Sequence, residues 1–321
     1  MTMQSTMLTR VESYLAERRH LGFKLDRSGS QMLSFARFAD ANGHNGPLDS
    51  RIILDWARGQ AANSDPFTWA QRVNVLQPFA RYLATIEPGT CFPETSPFGS
   101  SKRRLAPHIF TSQELRSLVA DARQVQRVRA AGPLMLPPLI GLLASTGLRI
   151  SEALGLRMGD VDLDTAQITV RFAKFGRKRL VALHPSSVTA LGEFIAEQRG
   201  AFRCGASEPF FKDELTGEAL AYREVLRGWK QLTLRLGIVP RGEHSSVRLH
   251  DLRHTFICRR LLEWQAHGTD IDGAMLMLST YVGHVNLRDT YWYIEAVPEL
   301  MALAGDRFEK LNNKVGDGDH G

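Results

Sequence analysis

The stretch Ser145-Thr146-Gly147-Leu148-Arg149-Ile150-Ser151-Glu152-Ala153-Leu154 ends one helical pattern and begins another. Before it lies the longest apolar run in the chain, Ala130 to Ala144, which Pro133, Pro137 and Pro138 break and which is too short to span a bilayer. A buried helix leading towards Arg149 accounts for that run. Gly147 stops this helix and Ser151 to Leu156 starts the next, so Arg149 stands at a junction from which its side chain can reach outward. Its planar fork can hold two non-bridging phosphate oxygens at once, which a lysine does less well. Taken alone, the arginine is more plainly explained by an ion pair with Glu152.

Upstream, the first hundred residues carry helical periodicity: Leu33, Phe35, Phe38 and Ala39, then Ile52, Ile53, Leu54 and Trp56, then Val73, Val75, Leu76, Phe79 and Leu83. From Glu87 to Pro107 the pattern gives way to Pro88-Gly89, Pro93, Pro97, Gly99-Ser100-Ser101 and the basic triplet Lys102-Arg103-Arg104. A boundary is expected there, with a helical domain and linker over 1–106 and a second domain over 107–321. Thr111-Ser112-Gln113-Glu114 has the form of a capping box and opens the second domain's first helix. One β region is expected, Asp160 to Leu183: Ile168, Val170 and Phe172 alternate, Phe175-Gly176-Arg177 supplies a turn, and Arg179 to Leu183 returns. From Ser186 to about Asn313 the pattern is again helical, ending in an amphipathic stretch with Leu300, Met301, Leu303, Phe308 and Leu311. The fold class is therefore mainly α with a small antiparallel β-sheet.

At 321 residues the chain is long enough for two domains, and its 43% hydrophobic and 23% charged residues are ordinary for a globular protein. A net charge of +6 and a pI near 9.4 lean towards a polyanionic partner without requiring one. Cys91, Cys204 and Cys258 are odd in number and far apart, which suggests neither a disulfide framework nor a zinc knuckle. Met1 to His20 lacks the uninterrupted apolar stretch of a signal peptide, so a reducing cytoplasm is the expected location and no membrane partner is expected.

Four further positions carry chemistry. Lys174 lies at the tip of the β region in Ala173-Lys174-Phe175-Gly176-Arg177-Lys178-Arg179, a basic hairpin that suits a DNA backbone and also reads as a solvated loop. His250-Asp251-Leu252-Arg253-His254 places histidines four apart on a helix, as in zinc peptidases. Asp251 stands where that motif has its glutamate, and Arg253 would set a cation beside the metal. Both weigh against zinc. Gly283-His284 reads by itself as a helix cap. Tyr293 could serve as a nucleophile, but a free phenol titrates near ~10 and would need neighbouring cations and a base. Tyr291 lies about 200° around a helix from it, so only one of the two can face the arginines.

Together these boxes resemble the tyrosine recombinases, the family of phage and transposon integrases and chromosome-dimer resolvases. Thr146-Gly147-Leu148-Arg149 with Ser151-Glu152, then Lys174, His250-Asp251-Leu252-Arg253-His254-Thr255-Phe256, Val282-Gly283-His284 and Tyr293 follow the family's order, with valine where it has leucine before Gly283. The resemblance covers roughly Thr111 to Leu311; the first hundred residues match in length and helical character. It implies a helical, SAM-like core-DNA-binding domain followed by an α+β catalytic domain, the two closing as a clamp on DNA. It also implies site-specific cutting and rejoining of duplex DNA through a 3′-phosphotyrosine, without metal, nucleotide or other cofactor. Arg149, Arg253 and His284 would hold the phosphate, and His250 would contact it or move a proton. Lys174 would protonate the leaving 5′-oxygen, with Lys178 as its competitor. Tyr293 would attack, since the family's nucleophile stands nine positions beyond this histidine, and His254 and Thr255 would pack the helix. Lys102, Arg103, Arg104, Arg177, Lys178 and Arg179 are the expected phosphate-positioning residues. Homodimers on each site, tetramers at synapsis and companion recombinases are the implied partners, with the Pro298 to Leu311 stretch docking on a neighbour. Thr290-Tyr291-Trp292-Tyr293 looks more like members carried on mobile elements. Three rivals stay open: a type IB topoisomerase, an inactive DNA-binding relative and a zinc hydrolase.

Overall fold

The computed structural model describes residues 6–59, 65–102, 104–127, 135–171, 178–201, 205–213 and 216–296. The chain divides into two compact units, Met1–Arg104 and Leu105–Gly321. No helix among the described residues is long and apolar enough to cross a membrane.

The first unit packs α1 (Met7–His20), α2 (Asp26–Ala41), α3 (Ser50–Gly59) and α4 (Pro66–Ile86) around one core. The starts of α1, α3 and α4 are sealed by side chains. The Asp40 carboxylate at the end of α2 accepts from the Met7 and Leu8 amides at 2.8 and 3.0 Å, placing negative charge at the positive end of α1. Asp65 caps α4 through the Thr68 amide at 2.9 Å, with Pro66 at the position where its missing N–H costs nothing. Phe35 meets Trp56 edge-on at 5.5 Å in the core.

In the second unit α5 (Ser112–Arg127), α6 (Leu136–Thr146), α7 (Ile150–Leu154), α8 (Pro185–Ala201) and α9 (Tyr222–Arg235) share a core with a three-stranded antiparallel sheet of order β1 (Val161–Asp162), β2 (Gln167–Val170), β3 (Arg179–Ala182). The capping box at Thr111 forms in both directions: the Thr111 amide donates to Glu114 Oε2 at 2.8 Å and the Glu114 amide to Thr111 Oγ1 at 3.1 Å. Register pairs Ile168 with Val181 and Val170 with Arg179, so Ile168, Val170 and Val181 are buried on one face. Phe172, the hairpin tip with Lys174 and Arg177, Arg103 of the linker, Cys204 and the Pro298 to Leu311 stretch lie outside the described residues.

A further cluster ties α10 (His250–Ala266), α11 (Ile271–Val282) and α12 (Arg288–Ala296) together through Phe256, Leu261, Met275, Leu278, Val282 and Tyr293. α10 also packs across α6, which brings the 145–154 junction against the helix carrying Arg253. Gly147 makes this approach possible. It ends α6 with φ +62°, and a Cβ there would fall 2.6 Å from the Phe256 ring.

Candidate active site

Arg149 is the N-cap residue of α7, with extended backbone, and this turns its side chain away from α6 towards the end of α11. Its amide donates to Glu152 Oε2 and its Nη1 to Glu152 Oε1, both at 2.9 Å, while Nη2 donates to the Gly283 carbonyl at 2.8 Å. Arg253, on the first turn of α10, donates through Nη1 to the Gly147 carbonyl and through Nη2 to the Val282 carbonyl, both at 2.7 Å. It is 2% exposed. The two arginines therefore brace the same turn, Val282-Gly283, and Arg253 also ties it to the α6–α7 junction at Gly147.

Glu152 is the carboxylate within this group, and Arg179 of β3 takes both its oxygens, Nη1 to Oε1 at 2.9 Å and Nη2 to Oε2 at 2.8 Å. Arg179 Nε also donates to the Tyr281 carbonyl at 3.0 Å. Burial alone would raise the Glu152 pKa, but the bonds and charge of Arg179 and the amide and charge of Arg149 outweigh it and hold the carboxyl at about 2. Arg179 thus differs from the expected phosphate contact: its guanidinium is turned inward onto a buried acid. Lys178, Lys102 and Arg104 are exposed.

Three guanidiniums around one carboxylate leave an excess of positive charge, and its effect adds to that of burial on Arg253, His284 and His250. Burial first, and the Arg149 charge second, lower the Arg253 pKa to about 9, which leaves it charged at neutral pH. Burial, Arg253 and Arg149 lower His284 to about 3. His250 is lowered as well, by withdrawal from water and by Arg253, Arg248 and Arg149, although its ring remains open to solvent at the rim. The histidines are therefore neutral at pH 7. Such a cluster favours an anion with several oxygens, and a bound anion would relieve the repulsion among its members.

His284 is oriented from α12. Its Nδ1 lies 2.8 Å from Oγ1 of Thr290, which is fully buried. If the hydroxyl donates, the ring's Nε2 carries the proton and can donate to an anion. Three residues further along α12, Tyr293 is 2% exposed, its ring parallel to that of His284 with centroids 6.4 Å apart. Its charge acts on Arg253, so the phenol lies within electrostatic reach of the guanidinium. Its hydroxyl is 2.7 Å from His254 Nδ1. That contact corrects the expectation that His254 only packs the helix.

Thr255 is buried in packing contacts, donating to the Asp251 carbonyl at 2.8 Å and accepting from the Phe110 amide at 2.9 Å. Asp251 is fully buried and accepts from the Arg248 amide at 2.8 Å and Arg248 Nη2 at 2.6 Å, which fixes the start of α10 and hence the placing of His250 and Arg253. The His250 and His254 rings stand perpendicular, 4.7 Å apart. Among the described residues no three metal-ligating groups converge. Arg149, Arg253, His250, His284 and Tyr293 are thus gathered in one region, with Arg179, expected at a phosphate, turned onto Glu152, and with His254 and Thr290 taking parts in the site that the sequence does not assign them. Thr290 gives no signal in the sequence. His254 gives a faint one, since i and i+4 share a helix face.

The profile described as "Phage integrase family" matches residues 108–299. The integrase/recombinase y4rB of Sinorhizobium fredii is 32% identical over 310 residues, 95% of this chain and 98% of that protein. The tyrosine recombinase XerD of Bradyrhizobium diazoefficiens is 25% identical over 300 residues, 88% of this chain and 89% of that protein. Among solved structures, the Tn1549 transposon integrase in complex with transposon right end DNA is similar in fold, with a TM-score of 0.66 at 17% identity over 94% of this chain and 99% of that one.

Proposed function

We infer the chemistry of this site from the premise that the chain belongs to the phage integrase family: it is a tyrosine site-specific recombinase, cutting and rejoining duplex DNA. Tyr293 attacks one phosphate to give a 3′-phosphotyrosyl link. Arg149 and Arg253 neutralise the charge that grows on the non-bridging oxygens, and His284 donates to one of them. His250, open at the rim, contacts the phosphate as it enters. Lys174 protonates the departing 5′-oxygen, with Lys178 as the alternative donor on the same hairpin. The 5′-hydroxyl of a partner duplex then attacks the phosphotyrosine and restores a phosphodiester, so the bond energy is retained throughout and no metal or nucleotide enters the scheme.

One observation carries this reading: Arg253 is buried and charged, donates only to neutral carbonyls in the described site, and lies within reach of the Tyr293 phenol. A cation so held is stabilised by the arrival of a phosphodiester. Lys102, Arg103, Arg104, Arg177 and Lys178 add sequence-independent phosphate contacts. The DNA-bound protein works in the cytoplasm as a homodimer on each site and a tetramer at synapsis, with or without companion recombinases, and its gene belongs to a mobile element. The division into a DNA-binding domain over 1–106 and a catalytic domain over 107–321 follows the same reading.

Covalent trapping tests it. The protein is mixed, in the presence of chelator, with nicked suicide duplexes made from DNA flanking its own gene and run on denaturing gels beside Tyr293→Phe. A retarded protein–DNA band that the variant lacks is expected. A shift on native gels without a covalent band would replace this reading with that of an accessory DNA binder.

A further inference from the structure

Of the three histidines near the phenol, only one places a ring nitrogen on its oxygen among the described residues. His284 directs Nδ1 at Thr290, and His250 stands open at the rim one helical turn before His254. His254 Nδ1 lies 2.7 Å from Tyr293 Oη, with ring centroids 5.4 Å apart. The Trp292 ring closes one side, its centroid 6.0 Å away, and His250 stands edge-on at 4.7 Å. Tyr293 is buried and His254 half-buried, and the charge of Arg253 acts on both.

Resting on the strand-transfer reading above, we propose that His254 is a further catalytic residue, the base that takes the phenolic proton of Tyr293 during cleavage and returns it during rejoining. In the forward step the Tyr293 Oη–P bond forms and the phenolic proton passes to His254 Nδ1. The P–O5′ bond breaks with its electron pair going to the 5′-oxygen, which takes a proton from the hairpin lysine. In the reverse step the incoming 5′-hydroxyl returns its proton to that lysine, the P–Oη bond breaks, and Oη recovers the proton from His254. No proton is gained or lost over the cycle.

The charges around the ring explain how it can act both ways. Burial, His250, Arg248, Arg253 and His244 lower its pKa to about 2 in the empty site, so Nδ1 is an unprotonated acceptor whenever the site awaits DNA. A phenol is the stronger donor of the two partners, so the shared proton lies on Oη and the single proton of the neutral ring on Nε2. A phosphodiester bound at Arg253 offsets that part of the depression which comes from its charge and so raises the ring's basicity when DNA is in place. His250 is thereby left for phosphate contact.

The experiment measures covalent adduct formation on a nicked suicide duplex from pH 5 to 9, with wild type, Tyr293→Phe, His254→Asn and His254→Ala. Asn can accept the phenol's hydrogen bond but cannot take its proton. DNA binding should be unchanged in His254→Asn, with adduct formation slowed about 100-fold and its rate rising in proportion to hydroxide. Imidazole added to His254→Ala should restore adduct formation, more basic imidazoles doing so faster. A His254→Asn rate and pH profile equal to wild type would overturn the role of His254 alone. So would a slowed variant that keeps the wild-type profile and an Ala variant that imidazole does not rescue. A wild type that forms no Tyr293 adduct would overturn the strand-transfer reading, and the base with it. Should the His254 variants not fold, 15N spectra of the wild type decide: Nδ1 of His254 is expected unprotonated at pH 7, and a protonated Nδ1 would overturn the assignment.

Discussion

Arg179 on β3 grips both carboxylate oxygens of Glu152 on α7, and the two are joined across 27 residues of chain. The pair is buried, with side-chain exposures of 10% and 2%. Through Glu152 it holds Arg149, and through the Tyr281 carbonyl it holds the end of α11, so sheet, arginine and histidine turn are fastened at one point. Its removal should be felt in stability before it is felt in chemistry.

Arg179→Ala is expected to destabilise the fold by about 3 kcal/mol, because it leaves a buried carboxylate with one guanidinium instead of two. Chemical unfolding measures this. A loss within about 0.5 kcal/mol would mean that Arg179 behaves as a solvated surface residue.

Arg253→Lys should preserve the fold better than it preserves cleavage. A lysine ammonium cannot span the Gly147 and Val282 carbonyls while also facing a phosphate, as the guanidinium fork does. We expect adduct formation to fall about 100-fold, in line with loss of one preorganised donor to a transition-state oxygen. Single-turnover cleavage at saturating DNA is the measurement.

Thr290→Val removes the hydrogen bond that orients His284 while keeping the shape of a side chain that is fully buried. A net hydrogen bond of about 1 kcal/mol corresponds to a slowing of roughly five- to tenfold. Thr290→Ser should restore cleavage. If Val and Ser variants slow equally, packing rather than the hydroxyl is what matters at this position.

Stability should fall as the pH drops from 6.5 to 4.5. His254 and His284 have pKa values lowered to about 2 and about 3 from 6.5, so in this range the unfolded chain binds protons that the folded chain refuses. Glu152, lowered from 4.5 to about 2, adds a loss of the same sign only below that range. Urea unfolding across pH 4.5 to 7.5 checks it, and both His254→Asn and His284→Gln should flatten the slope. A phosphate-rich buffer should also flatten it if the anion fills the arginine cluster.

Gly147→Ala is expected to cost more than about 1 kcal/mol, since the residue has φ +62° and a methyl group would strike Phe256 at 2.6 Å. Thermal unfolding of the variant tests the tightness of the α6–α10 contact. Pairing it with Phe256→Ala should recover part of the loss by removing the clash, leaving the backbone strain.

Much of the site is legible in the chain because its members are announced by local spelling. Gly147 marks the end of α6 by its backbone freedom, Arg149 follows at the cap and Glu152 completes the turn, while Gly283-His284 and Tyr293 are picked out by their resemblance to the family's spacing. The capping box at Thr111 is equally local, since its two hydrogen bonds join residues three apart. The partner of Arg179 is not legible because a basic residue beside Lys178 suits a phosphate equally well until β3 is brought against α7 and the guanidinium meets Glu152. His254 was misread because its partner is 39 residues away on another helix.

Helix ends and the arginines that stand at them are readable along the chain, because they follow from steric and hydrogen-bond preferences acting within a few residues. Which arginine is buried on Glu152, which histidine touches the phenol and which rings are held neutral emerge once the chain has folded. Those properties depend on desolvation and on charges that adjoin only after α6, α10, α11, α12 and β3 have packed together, and no local rule encodes them.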